Sequence, residues 1–266
     1  MPIIQITPRQ TIHFLEYNQE SARAVLLLHG MGATGASWAF QIPAFIEAGF
    51  RVIAPDICGF GLSPYSGGRL SISTLSADMD SLLKSLGVSP AHVVGLSMGG
   101  AIALQLALDA PDQVMSLVLV STFASLRPRN QRMWLYYVFR YLLLYTLGLP
   151  AQAHTVARRI FPRPDQSAFR DQFLQQINQA DPKGYRASMR ALAGFNVTGR
   201  LAEINIPTLV ISGENDTTVT LESQRILSKN IPNATHIIIS KGGHAITVEQ
   251  PDIFNEAIIG FFQQFN

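Results

Sequence analysis

The most constraining stretch of this chain is His92-Val93-Val94-Gly95-Leu96-Ser97-Met98-Gly99-Gly100. An apolar run ends in Gly-x-Ser-x-Gly, and a small-residue helical pattern starts directly after it at Ala101. A serine set between glycines at a strand-to-helix turn sits on a sharp, strained bend. Glycine is needed there because a Cβ would collide with the neighbouring strand and helix. The bend lifts the hydroxyl out of the sheet, and the helix N-terminus behind it favours negative charge. Ser97 therefore reads as a nucleophile. Such a turn needs a buried strand feeding a helix, so the rest of the chain has to build an α/β sheet around it.

The runs on either side do so. Ile3–Ile6 and Thr11–Tyr17 are β-prone and parted by Pro8 and Arg9, an opening hairpin. Ala24–His29 is continuously apolar, as a parallel strand covered on both faces must be, and Arg51–Asp56 is the next strand. Helices are predicted from about Ser37 to Ala48 and from Thr74 to Leu86, where Leu75, Met79, Leu82, Leu83 and Leu86 recur at helical spacing. After the Ser97 turn a helix runs to about Asp109, and Val114–Val120 is a sixth strand. This alternation predicts a doubly wound, mostly parallel sheet.

Beyond Ser121 the alternation stops. Residues 123–198 hold no strand candidate and are aromatic, arginine-containing and helical. Their most apolar part, Met133–Leu147, contains Arg140 and falls short of the ~20 residues a membrane span requires. A helical insertion over the C-terminal edge of the sheet is predicted instead. The sheet then resumes with Ile206–Ser212, a helix from Leu221 to Lys229, the strand Thr235–Ile239 and a closing helix. The organisation is a core in two parts, 1–122 and 199–266, interrupted by residues 123–198.

Composition narrows the function classes. With 47% apolar and 14% charged residues among 266, the chain can bury a large core. A net charge of +2 without a Lys/Arg run offers no nucleic-acid surface. The single cysteine, Cys58, excludes an intramolecular disulfide and fits a reducing compartment, and the N-terminus lacks the basic and apolar regions of a secretory leader. A soluble, cytoplasmic protein is expected. No His-x-x-x-His, Cys-x-x-Cys or carboxylate cluster points to a metal, and no cofactor is expected.

A serine nucleophile needs a base, an orienting acid and oxyanion donors. Of six histidines, His13 and His236 lie inside strand patterns, His92 at the wrong end of its strand and His154 in the insertion. His29 and His244 stand at C-terminal strand edges, where sites in open α/β sheets form. His244 follows the flexible Lys241-Gly-Gly243 and is the candidate base. The loop Ser212–Val219 offers two acids, Glu214 and Asp216. Glu214 adjoins the strand and suits a local cap, so Asp216 is the better candidate. For the oxyanion hole, the residue after the serine contributes the Met98 N–H, and the loop His29-Gly-Met-Gly32 contributes that of Met31.

These motifs together resemble the α/β-hydrolase superfamily over nearly the whole chain. His29-Gly-Met-Gly32 is similar to its oxyanion loop, Asp56-Ile-Cys-Gly-Phe-Gly-Leu-Ser63 to its Asp-x-x-Gly-x-Gly-x-Ser loop, and Gly95-Leu-Ser-Met-Gly-Gly100 to its nucleophile elbow. Gly213-Glu-Asn-Asp216 resembles its acid loop, and Gly243-His244 with Glu249-Gln-Pro251 its histidine loop. The resemblance implies that residues 123–198 are a cap covering the site. It also implies hydrolysis of a small, hydrophobic carboxylic ester or lactone through an acyl-enzyme. Phe123 and Trp134 are candidate substrate contacts.

Three other readings compete. Ser-Met-Gly-Gly also resembles the carbon–carbon bond hydrolases of the same fold, although Ala245 stands where that branch typically carries tryptophan. A ligand receptor with slow turnover could share the fold. Gly30-Met-Gly-Ala-Thr-Gly35 with Asp56 also fits a dinucleotide fingerprint. The hairpin ahead of it, Pro43 in the helix behind it and the unexplained Ser97, Asp216 and His244 weigh against an oxidoreductase.

Overall fold

Each buried strand supplies side chains to two cores, which is why its apolar run is unbroken. The computed structural model describes residues 2–7, 10–128 and 130–265. Its strands are β1 (Ile3–Thr7), β2 (Gln10–Tyr17), β3 (Ala24–Leu28), β4 (Arg51–Pro55), β5 (Ala91–Leu96), β6 (Val114–Val120), β7 (Thr208–Gly213) and β8 (Ala234–Ile239). They lie in one sheet in the order β1-β2-β4-β3-β5-β6-β7-β8. β2 pairs antiparallel with both β1 and β4, and every other pairing is parallel. The sheet is doubly wound and mostly parallel, as the alternation predicted. The expected turn at Pro8 and Arg9 lies outside the described residues.

The helices are α1 (Ile42–Glu47), α2 (Ile72–Ser85), α3 (Met98–Asp109), α4 (Gln131–Thr146), α5 (Gly148–Ile160), α6 (Ser167–Gln179), α7 (Pro182–Gly194), α8 (Leu221–Asn230), α9 (Ile246–Glu249) and α10 (Pro251–Phe262). Val25, Leu27, Val94, Val118 and Leu209 face one side of the sheet, against Phe45 of α1 and Phe254, Ile258 and Phe262 of α10. Their immediate neighbours Leu26, Leu28, Val93, Leu117 and Val210 face the other side, against Leu75 and Met79 of α2, Ile102 of α3 and Leu227 of α8. The period of two in the strands thus feeds two separate layers.

One predicted element is corrected. The helix expected from Ser37 to Ala48 is divided into a 3₁₀ turn, Gly35–Trp38, and the short α1. Pro43 has no N–H to donate and is tolerated in the first turn of a helix, so α1 starts just ahead of it. The other boundaries shift by a residue or two. α2 starts at Ile72 because Ser71 and Thr74 form a capping box there, each side chain accepting from the other's backbone N–H at 3.0 and 2.9 Å.

Between β6 and β7 the chain forms α4 to α7. The two ends of this insertion are joined by a bridge between Ser125 and Asn196 and by the Val197 N–H donating to the Ala124 carbonyl at 2.9 Å. α4 buries only Leu144, while Trp134, Leu135, Phe139 and Leu142 are exposed. Among the described residues, no helix is long and apolar enough to cross a membrane.

The closing helix is anchored by an aromatic cluster. Phe262 is fully buried, stacks on His92 at 4.1 Å between ring centroids, and meets Phe50 and Phe45 at 5.5 and 6.0 Å. Burial, with a smaller contribution from the charge of Arg23, pushes the His92 imidazole down to about 4, so a neutral ring fills the stack. Phe262→Ala is expected to destabilise the protein by about 3–5 kcal/mol. Urea unfolding should show this as a lower midpoint at unchanged slope.

Candidate active site

The turn after β5 has the geometry its glycines require. Ser97 has φ 54° and ψ −109°, a left-handed conformation that costs a non-glycine residue about 1–3 kcal/mol. A Cβ on Gly95 would stand 2.4 Å from the Gly99 carbonyl oxygen, and one on Gly99 would stand 2.0 Å from that of Leu28. The bend is fastened by backbone on both sides. Ser97 N–H donates to the Val120 carbonyl at 2.9 Å, and Thr122 Oγ1 donates to the Ser97 carbonyl at 2.7 Å. Met98 opens α3, so its N–H is one of those at the helix start that lack an intrahelical acceptor.

The loop after β7 gives the two acids different partners. Asp216 Oδ2 lies 2.9 Å from His244 Nδ1, and Oδ1 accepts the N–H groups of Thr218 at 2.8 Å and Val219 at 2.9 Å. Burial alone would raise the Asp216 pKa. The neighbouring His244 and the two backbone donors outweigh it and hold the carboxyl below its ordinary value. Glu214 instead accepts from Lys241 N–H and Ser240 Oγ, both at 3.0 Å. Those bonds lower its pKa at an exposed position, away from the imidazole.

His29 and Asp56 hold the loop after β3. His29 Nδ1 donates to the Gly30 carbonyl at 2.8 Å, and Nε2 accepts from Ile57 N–H at 2.9 Å, so both ring nitrogens are occupied. Burial is the main reason its pKa is lowered. Asp56 Oδ1 accepts from Gly35 N–H at 2.8 Å, and Oδ2 contacts Leu62 N–H at 2.9 Å and His13 Nδ1 at 2.7 Å. Buried and bonded in this way, Asp56 is committed to loop geometry, which accounts for the glycine pattern without a ribose.

A cavity of about 600 Å³ opens between these loops and the inserted helices. Ser97, His244, Met31, Phe123 and Trp134 all line it. Phe123 is buried and Trp134 is half exposed. Met98 is not among the residues lining it, and its side chain is fully buried in the core. Among the described residues, no three of His, Cys, Asp and Glu cluster as a metal would require.

The sequence profile of the alpha/beta hydrolase fold family matches residues 23–251. The chain belongs to the α/β-hydrolase family. A protein of Variovorax paradoxus named as a carbamate hydrolase, RutD, is 31% identical over 260 residues, 94% of this chain and 95% of its own. The enol-lactonase of Burkholderia xenovorans LB400 superposes with a TM-score of 0.90 at 25% identity, over 98% of this chain and 100% of that one. A bromoperoxidase of Bacillus anthracis also reaches 0.90, at 26% identity, over 98% and 99% of the two chains.

In this α/β hydrolase two contacts between the insertion and the site have no counterpart in any sequence spacing. Arg159 of α5 donates from Nη2 to the Thr217 carbonyl in the acid loop at 2.6 Å, and Thr217 Oγ1 donates back to the Arg159 carbonyl at 3.0 Å. Gln166 donates to Glu249 at 3.0 Å, and Glu249 accepts a short bond from Gly243 N–H, next to His244. Burial raises the Glu249 pKa. Arg159 and Gln166 carry no local signal because their partners are remote in sequence.

Two glycines separate steric need from helix propensity. Gly99→Ala is expected to cost more than about 4 kcal/mol, because the clash is with backbone that cannot move aside. Gly260→Ala, on the exposed side of α10 with nothing within 4 Å, should stabilise by up to about 1 kcal/mol. Paired thermal melts of the two variants test the contrast.

Proposed function

We propose that this protein is a serine hydrolase cleaving a small carboxylic ester or lactone, with Ser97, His244 and Asp216 as its triad. The observation that carries this reading is that Ser97 and His244 share one cavity while Asp216 holds His244 at 2.9 Å. Names of relatives, a carbamate hydrolase and an enol-lactonase, support acyl chemistry at a carbonyl flanked by a heteroatom.

In this mechanism Ser97 Oγ attacks the acyl carbon as His244 Nε2 takes its proton. Asp216 stays ionised and keeps the Nδ1–H tautomer in place. The oxyanion is received by the N–H groups of Met31 and Met98, at the site where negative charge develops. His244 then protonates the leaving oxygen, the acyl–oxygen bond breaks, and water attacks the acyl-enzyme with His244 as base. Residues 123–198 act as the cap that keeps bulk water from the intermediate, on a core made of 1–122 and 199–266. Phe123 and Trp134 contact the acyl group. The relative's name makes a carbamate the second substrate class, since the same attack releases an amine or alcohol from it.

Ser97→Ala should reduce hydrolysis of p-nitrophenyl butyrate by at least about a thousandfold with an unchanged melting temperature, and retained turnover would exclude the assignment. Asp216→Asn should lower kcat by about 10⁴, while Glu214→Gln leaves it within about twofold; the reverse pattern would identify Glu214 as the acid. Burst kinetics with at most one equivalent of product per chain would mark a slow receptor instead of an enzyme.

A further inference from the structure

Among the described residues, the cavity wall contains Arg127, Arg140, Arg159 and Arg190 and not one aspartate or glutamate. In a wall otherwise mostly apolar, guanidinium charge without a counter-charge is expensive to desolvate. Arg127 and Arg190 are exposed, whereas Arg140 and Arg159 are half-buried. Neither of these two forms an ion pair among the described residues.

Both are nevertheless held in place. Arg159 is fastened to Thr217, and its guanidinium carbon lies 4.2 Å from the Tyr136 ring centroid. The guanidinium carbon of Arg140 lies 5.8 Å from the same ring. With the Gln152 amide turned so that its oxygen faces Arg140, that oxygen accepts from Nη2 at 2.6 Å and from Nε at 2.9 Å. Neutral carbonyls orient both arginines and neutralise neither. Two like charges around one ring also raise each other's cost.

Three polar atoms beside them are buried without a partner: Arg159 Nε, the Tyr136 hydroxyl and Thr218 Oγ1. Tyr136, Arg159 and Thr218 all line the cavity, and Thr218 adjoins Asp216, whose Oδ1 accepts its N–H. Buried donors are normally satisfied, and unpartnered donors on residues that share a cavity wall with uncompensated positive charge suit an anion. The fork of a guanidinium matches the two oxygens of a carboxylate.

We propose that the substrate carries a carboxylate, seated on Arg159 and Arg140 with the hydroxyls of Tyr136 and Thr218. Its apolar body fills the rest of the cavity and presents the ester or lactone carbonyl to Ser97. This deepens the hydrolase reading and rests on it. It also changes the expectation of a purely hydrophobic substrate: one end is anionic.

The test uses monoethyl esters of dicarboxylic acids from succinate to suberate, each paired with the neutral ethyl ester of equal length. The intact protein should favour the half-ester by at least about tenfold in kcat/KM for at least one pair, with the gain in KM. Arg159→Gln should cut that preference by about tenfold to a hundredfold, Arg140→Gln should weaken it in the same direction, and Arg159→Lys should restore part of it. No preference anywhere in the series, or a preference unchanged within about twofold in both glutamine variants, overturns the proposal. If the intact protein hydrolyses neither ester of any pair, these esters are not its substrates and the anion site is judged by binding alone. Adipate is then titrated calorimetrically into the intact protein and the two glutamine variants. Binding weakened at least about tenfold in either variant supports the site, and absent or unaltered binding overturns it.

Discussion

The close backbone contact among β3, β5 and the start of α3 sets the positions of everything around the candidate site. Gly95, Gly99 and Gly100 let α3 press against the Leu28 carbonyl and the Thr122 side chain at distances no Cβ would permit. That approach forces the chain through a left-handed turn at Ser97, the one residue between strand and helix. A locally unfavourable conformation persists because the two cores flanking the sheet over-determine it. Val93 and Val94, two residues of one strand, are each fully buried in a different layer.

Around this turn the loops are held by polar side chains that are themselves buried. Asp56 joins β2, the 3₁₀ turn and the loop after β4, while His29 ties the loop after β3 to Ile57. Backbone donors held this rigidly need little reorganisation when charge develops near them, which is where an oxyanion site gains its effect. The same arrangement explains why a glycine-rich loop followed by an acid arises here in a fold that is not a dinucleotide fold.

The insertion adds an electrostatic character that its apolar composition conceals. It reaches the acid loop through Arg159 and Thr217 and the histidine loop through Gln166 and Glu249, so it contacts the two loops that carry the proposed partners of Ser97. Its aromatic residues make an apolar cavity wall, and its arginines bring positive charge into that wall without carboxylates. A cavity of this kind distinguishes substrates by charge at one end and by shape along the rest.

Sheet, helix order and insertion were legible in the sequence because they rest on local periodicity. Apolar runs mark strands buried on both faces, 3.6-residue spacing marks α2 and α10, and the loss of alternation after Ser121 marks the inserted helices. The elbow was legible for the same reason, since its strand, glycines and helix are contiguous. Pro43 marked a disturbance in the helix expected from Ser37 to Ala48, but propensity did not place the break ahead of it, where a few residues decide between a 3₁₀ turn and an α-helix. Choosing between Asp216 and Glu214 on sequence alone rested on their distance from the strand. The tertiary structure separates them by partner, because β7 and β8 bring one carboxylate to an imidazole and the other to Lys241. The arginines had no local signature at all. Their meaning comes from which residues face one cavity, and that depends on how α4 and α5 pack over the sheet. Continuity along the chain determined the fold and the turn at Ser97, while the charge of the pocket was decided only by contacts between residues far apart in sequence.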